Sequence, residues 1–309
     1  MNIGIVGLGK MGNAIAQRLV QAGYEVIGYD LNREALDQAH KIGVETASSL
    51  KDLAYSARII WLMVPVGKPV DDTIEKLIPH LKGGDIIIDG GNSKFTDSIR
   101  RAQMLKPENI FFLDCGTSGG LQGRAFGFSL MVGGDEASYT KIHPLLVAIA
   151  APGGVGYVGP SGAGHYVKMV HNSIEYALLQ AYAEGFQLLK QGSFKDTVFN
   201  LEHISNIWLN GSIIRSWILE LTRDVFREYG QKFDDVIGEI QEGGTGRWSV
   251  EDAHKNHIPV RLIEESLKIR EWSRKTGGNY STKIVALLRN VFGGHSVKRK
   301  TKKITDEEV

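Results

Sequence analysis

The start of the chain restricts its fold more than any other stretch. Asn2-Ile-Gly-Ile-Val-Gly-Leu8 is a short apolar run with strand character, and Gly7-Leu8-Gly9-Lys10-Met11-Gly12 follows it directly. An amphipathic helix then opens through Ala14, Ile15, Ala16, Leu19 and Val20. Strand, glycine loop and helix in this order are the opening of a dinucleotide-binding unit. Glycines allow the tight turn and let backbone N–H groups come up to a pyrophosphate at the positive end of the helix. The next strand, Glu25-Val-Ile-Gly-Tyr-Asp30, ends in a carboxylate at the distance expected of one that holds the adenine ribose hydroxyls. Asp30 repels a 2′-phosphate, so NAD is favoured. Arg33 leaves NADP open, because a guanidinium turned inward accepts that phosphate.

Strand and helix patterns alternate up to about residue 160, with further strands expected at Arg58–Val64, Asp85–Asp89, Ile110–Asp114, Ser129–Val132 and Gly154–Val158. The alternation predicts a doubly wound sheet of Rossmann-like α/β type. Three of these strands run into polar or glycine-rich loops: Met63-Val64-Pro65-Val66, Gly90-Gly-Asn92-Ser-Lys94, and Cys115-Gly-Thr-Ser118-Gly119-Gly120. Ligands of such sheets lie at the carboxyl ends of the strands, which places cofactor and substrate at these loops. Beyond Ser161 only helical patterns remain, over Ile204–Trp208, Ser212–Tyr229, Pro259–Arg274 and Thr282–Val291. The expected organisation is a dinucleotide-binding domain over 1–160, an all-α domain over 161–295 and a disordered, mixed-charge tail over 296–309.

The chemistry centres on Gly162-Ala-Gly-His-Tyr-Val-Lys168-Met-Val-His171-Asn172-Ser-Ile-Glu175-Tyr176. Lys168, His171, Asn172 and Glu175 stand at i, i+3, i+4 and i+7, so one helical face carries all four. Val167, Val170, Ile174, Ala177, Leu178 and Ala181 repeat at helical spacing beside them, which predicts a buried helix. A buried lysine is costly unless neutral or paired, and burial moves it toward the range where it accepts a proton. Lys168 is therefore a candidate base. Glu175 lies about 10 Å further along the axis, a span that a small sugar acid bridges. An internal ion pair is the plain structural alternative.

A formal charge of +1 gives no general attraction to nucleic acid, so anion binding must come from local groups. The single cysteine, Cys115, excludes an internal disulfide and fits a reducing, cytoplasmic setting. The chain opens directly on a strand pattern without a leader, and no apolar run is long enough to span a bilayer. No Asp, His or Cys set has convincing metal-ligand spacing, and His254-Lys-Asn-His257 reads as a loop or surface pair.

The chain resembles the 6-phosphogluconate dehydrogenases, in their shorter NAD-linked bacterial form, within the β-hydroxyacid dehydrogenase superfamily. The resemblance runs to about His295 and rests on Gly90-Gly-Asn-Ser93, Asp114-Cys-Gly-Thr-Ser-Gly-Gly120, Gly162–Tyr176, Gly244-Thr-Gly-Arg-Trp248 and Arg289-Asn-Val-Phe-Gly-Gly-His295. It implies that Lys168 is the general base and Glu175 the general acid of an oxidative decarboxylation that needs no metal. It further implies substrate contacts from Asn92, Ser118, Gly119, Gly120, His171, Asn172 and Tyr176, with Arg270 on the phosphate. Arg289 and His295 match tail residues that a partner subunit supplies to its neighbour's site, so a homodimer or larger homo-oligomer is implied. The chain departs from the longer enzymes at Gly243, where they carry a lysine, and this weakens the inference of a phosphate. Two rivals follow: a β-hydroxyacid dehydrogenase that oxidises without decarboxylation, and a non-catalytic NAD-binding sensor.

Overall fold

The computed structural model describes residues 2–300. The chain divides into two compact units, Met1–His171 and Asn172–Val309. In the first unit the strands are β1 (Asn2–Val6), β2 (Glu25–Tyr29), β3 (Glu45–Thr46), β4 (Ile59–Leu62), β5 (Ile86–Asp89), β6 (Phe111–Ser118), β7 (Phe128–Gly134) and β8 (Ala150–Gly159). Its helices are α1 (Lys10–Gln21), α2 (Arg33–Lys41), α3 (Leu50–Ser56), α4 (Lys68–Leu77), α5 (Phe95–Leu105), α6 (Gly123–Phe126), α7 (Glu136–Ile149) and the first turns of α8 (Ala163–Gln191). The second unit holds the rest of α8, then α9 (Leu201–Leu209), α10 (Trp217–Tyr229), α11 (Thr245–Lys255), α12 (Arg261–Thr276) and α13 (Tyr280–Gly293). Among the described residues no helix is long and apolar enough to cross a membrane.

The sheet order is β3-β2-β1-β4-β5-β6-β7-β8. Pairing is parallel from β3 to β6, antiparallel between β6 and β7, and parallel again between β7 and β8. A sheet covered on both faces needs strands without polar alternation, which Ile59-Ile-Trp-Leu62 and Ile86-Ile-Ile88 supply. The strand period of two sorts them: Ile59, Trp61, Ile86 and Ile88 pack on one face with Ile15 and Leu19. Ile60, Leu62 and Ile87 pack on the other with Leu53, Ile74 and Leu77. The winding reverses at β1, between β2 and β4, and there the glycine loop leaves the sheet.

Three strands run longer than expected: β7 and β8 extend beyond 129–132 and 154–158 on both sides, and β6 continues past Asp114. Cys115–Ser118, expected in a loop, continues β6, because β7 runs antiparallel beside it and pairs Cys115 with Val132 and Ser118 with Ser129. The turn starts only at Gly119, whose φ of 129° and that of Gly120 at 53° suit glycine.

In the second unit a ring series runs Phe186–Phe226–Phe233–Tyr280, with centroids 4.9, 6.0 and 5.4 Å apart. Ile284, Val285, Leu287 and Leu288 of α13 are buried in the same core. The helix expected from Ser212 starts at Trp217, since the Ser216 hydroxyl accepts the Leu219 N–H (3.1 Å) and fixes Ser216 as the N-cap. α8 is half-covered rather than buried throughout: Met169, Ser173, Tyr176, Leu179 and Ala183 are inside, while Ile174 is 51% and Leu178 43% exposed. The tail also departs from expectation. Val236 and Arg299 form an antiparallel bridge, Ile237 N–H donates to Lys298 O (2.9 Å), and Lys300 N–H donates to Asp235 O (2.7 Å). Residues 297–300 are thus tied down, and the rest of the expected tail lies outside the described residues.

Candidate active site

The glycine loop has the form a pyrophosphate requires. Gly7 stands at φ 94°, and a Cβ on Gly12 would lie 1.9 Å from the Gly7 carbonyl, so the α1 backbone presses directly on the loop. Gly9 is the N-cap of α1, no side chain caps the helix, and a Cβ on Gly9 would meet open space. Lys10 and Gly9 are exposed, Met11 is half-buried, and the first-turn N–H groups face that opening. This cradle fits the diphosphate of NAD. The Asp30 carboxylate accepts Leu8 N–H (2.6 Å) and Asn32 N–H (2.8 Å), so it braces the loop while its half-exposed edge is left for ribose hydroxyls. Arg33 is exposed at the start of α2. Further along the same sheet edge come Val64, half-buried, and Pro65, Val66 and Asn92, all exposed at the carboxyl ends of β4 and β5.

On β6 and the start of α8 three polar side chains meet. Lys168 is 6% exposed, and its Nζ lies 3.4 Å from His171 Nδ1, whose Nε2 lies 3.4 Å from Ser118 Oγ. Gly116 makes this possible, because a Cβ there would sit 2.4 Å from the Lys168 Cβ and 2.8 Å from the Gly164 carbonyl. The helix carrying Lys168 is held by a residue to which the sequence alone assigned no role. Asp114, fully buried, accepts Gly162 N–H (2.7 Å) and His165 N–H (2.8 Å) with its two oxygens. A carboxylate at a helix N-terminus satisfies unpaired N–H groups and complements the dipole. The signal was present as the acid heading Asp114-Cys-Gly, but nothing local says that it reaches α8.

In the second unit Asn172 and Glu175 are half-buried on α8 and Tyr176 is 7% exposed. The Arg270 guanidinium stacks 3.5 Å from the centre of the Tyr176 ring, and Gly246 gives the ring room, since a Cβ there would come within 2.8 Å of it. Tyr176 Oη lies 3.5 Å from Thr245 Oγ1, which gives the Gly244-Thr-Gly turn a role in placing the ring. Arg270 is 1% exposed; Nη1 donates to the Gln241 carbonyl (3.5 Å), and Nη2 is buried without a partner. Burial pushes the Arg270 pKa down to about 10, with Arg289 adding to the fall and Tyr176 and Glu175 opposing it, so it stays charged at neutral pH. Burial likewise lowers Arg289, against the pull of Tyr176 and Glu175. A buried guanidinium with an unused N–H group and a second cation nearby makes a strong site for an oxyanion.

Arg289 and His295, expected to serve a neighbouring subunit, stand at and just beyond the end of α13. α13 is buried in its own unit through Ile284, Leu287 and Leu288, which sets Arg289 within the field of Arg270, Tyr176 and Glu175 of the same chain. His295 is exposed just beyond α13, and its N–H donates to the Arg289 carbonyl (3.4 Å). His254 lies 2.6 Å from Glu264, and among the described residues no three His, Cys, Asp or Glu side chains cluster as a metal site.

Two family models match the chain: the NAD binding domain of 6-phosphogluconate dehydrogenase over residues 2–159 and the 6-phosphogluconate dehydrogenase C-terminal domain over 164–283. A Haloferax volcanii protein named NAD(+)-dependent, decarboxylating 6-phosphogluconate dehydrogenase is 46% identical over 304 residues, covering 97% of this chain and 99% of that protein. The Bacillus subtilis protein of the same name is 39% identical over 285 residues, 87% of this chain but 60% of its own longer length. Among solved structures, a Plasmodium falciparum 6-phosphogluconate dehydrogenase superposes with a TM-score of 0.81 at 28% identity, over 89% of this chain and 62% of that one. The chain belongs to the 6-phosphogluconate dehydrogenase family.

Proposed function

We propose that the chain catalyses the oxidative decarboxylation of 6-phosphogluconate to ribulose 5-phosphate and CO2 in the cytoplasm, with NAD as oxidant. The observation that carries this reading is Lys168, buried where Gly116 clears space for it and held beside His171. A buried amine on the substrate side of the strand ends can act as the base that the first step needs. Lys168 takes the proton of the C3 hydroxyl. Gly7–Gly12 and Asp30 would hold NAD, which would supply the acceptor for the hydride of C3. The resulting ketone is β to the carboxylate and receives the electron pair released as CO2 departs. Lys168, now an ammonium, returns its proton to the C3 oxygen to give an enediol; Glu175 then protonates the carbon that becomes C1 while the neutral Lys168 takes the enol proton back, leaving the ketone of the product. Ser118, Gly119, Gly120, Asn92, His171 and Asn172 orient the sugar acid, and Arg270, Arg289, Tyr176 and His295 take its phosphate end. The unpartnered Nη2 of Arg270 supports a phosphate despite Gly243.

The working unit is a homodimer or larger homo-oligomer. Ile174, Leu178 and Tyr182 form one line on α8, and the Tyr182 hydroxyl hydrogen-bonds both Ile214 O and Ser216 (2.9 Å), joining the loop that precedes α10. Ile213 at 102%, Leu188 at 71% and Trp217 at 45% exposure extend this apolar surface, and such surfaces mark interfaces.

A panel crossing NAD and NADP with 6-phosphogluconate, gluconate and 3-hydroxyisobutyrate, with CO2 trapped, tests the reading. The expected result is CO2 formed in step with NADH from 6-phosphogluconate, with kcat/KM for NAD at least ~10-fold above NADP because of Asp30. NADH without CO2 shifts the assignment to a plain β-hydroxyacid dehydrogenase. NAD binding without turnover of any acid leaves a sensor.

A further inference from the structure

Arg101 lies on α5 and makes no hydrogen bond to a group assigned a part in the reaction, yet it is among the largest fully buried side chains of the described residues at 0% exposure. Its guanidinium reaches four places. Nε donates to Asp71 in the first turn of α4 (2.7 Å), and Nη2 donates to the Gly67 carbonyl, where the loop after β4 ends (3.1 Å). Nη1 donates to Asp89 at the end of β5 and to Ser93 Oγ in the loop that follows, each at 3.1 Å. The two arms are closed further, since Ser93 Oγ donates to Asp89 (2.7 Å), Gly91 N–H donates to the other Asp89 oxygen (3.1 Å), and Arg100 binds Asp71 at 2.9 Å through both oxygens.

The segments so joined are the two loops on adjacent strands that carry Val64, Pro65, Val66 and Asn92. A buried guanidinium is costly unless each of its donors is used, and here all three nitrogens are engaged while two carboxylates offset the charge. An interaction this demanding at so particular a place fixes geometry. We infer that Arg101 is a positioning residue for the nicotinamide half of NAD: it sets the spacing of the 63–67 and 90–94 loops without touching cofactor or substrate. The inference rests on NAD lying along those loops, as its binding at the glycine loop requires. The adenosine and diphosphate portion depends instead on Gly7–Gly12 and Asp30, to which Arg101 makes no bond.

That division supplies the test. Arg101→Lys keeps the charge and the long side chain, but one ammonium cannot span a planar fork. Dissociation constants of NAD and of ADP are measured on wild type and variant, with thermal unfolding alongside. The NAD constant is expected to rise at least ~10-fold while that of ADP stays within about twofold, since displaced loops spoil only the part of the ligand they hold. Ser93→Ala, which removes a single arm, is expected to give a smaller rise with the same selectivity. If NAD and ADP weaken together, or if neither changes, Arg101 is a fold-stabilising residue only and the inference is overturned. A wild type that binds ADP and not NAD overturns the cofactor placement along with it.

Discussion

A side chain at position 116 has nowhere to go. Its Cβ would stand 2.4 Å from that of Lys168, closer than two carbons approach without bonding, so the strand and the helix meet there only because residue 116 is glycine. Gly116→Ala therefore pushes Lys168, the proposed base, off its line to His171, while the glycine loop is untouched. Because a shift of about 1 Å can cost on the order of 100-fold in rate, kcat is expected to fall at least ~10-fold with NAD affinity retained, and Lys168→Met should fall at least ~100-fold. Initial rates at saturating NAD and a separate NAD titration check both; normal turnover in Gly116→Ala would show that Lys168 has slack the packing denies. Lys168 itself was legible in the sequence, since a lysine on an apolar helix face is anomalous by itself. Gly116 was not. Its meaning lies in a contact between residues that share no local pattern.

At the scale of elements, the strands that read correctly were those whose burial is dictated by their own composition, such as Ile59–Leu62 and Ile86–Ile88. The errors came where a distant partner decides. β6 extends through Ser118 because β7 pairs with it, and α10 starts late because Ser216 caps it. Residues 298–300 pair with residues 235–237, and no charge count anticipates that. The anchoring of α8 belongs to the same class. Asp114 holds the Gly162 and His165 N–H groups, while His165 Nδ1 lies 2.7 Å from Ser98 Oγ, so β6 and α5 both fix the turn that precedes Lys168. Asp114→Asn presents an amide N–H to one of those donors and leaves it unsatisfied. The expected loss is about 1–2 kcal/mol, a fall in Tm of roughly 2–8 °C, with kcat reduced more than NAD affinity. Calorimetry with parallel kinetics distinguishes this from a surface carboxylate, which would change neither.

For the whole molecule the question is which chain completes which site. The family resemblance assigns Arg289 and His295 to a neighbour's site, while α13 buries its apolar residues in its own unit and Arg289 lies in the field of the same chain's Tyr176 and Glu175. If Arg289 serves its own chain, assembly only covers Ile174, Leu178, Leu188 and Ile213; if it serves the neighbour, assembly also completes the site. The two arrangements differ in one measurable respect. Lys168→Met and Arg289→Ala each abolish a site, and in a shared-site dimer a hybrid of the two would hold one intact site. Random mixing would then restore about a quarter of wild-type activity, because half of the dimers are hybrids with one good site of two. With Arg289 serving its own chain, every site in every hybrid carries one lesion or the other, and the refolded mixture is expected to be as inactive as either parent. Leu178→Glu provides the companion measurement: a charge on the apolar line should shift sedimentation toward monomer. Recovery of activity in the mixture would return Arg289 to the partner's site.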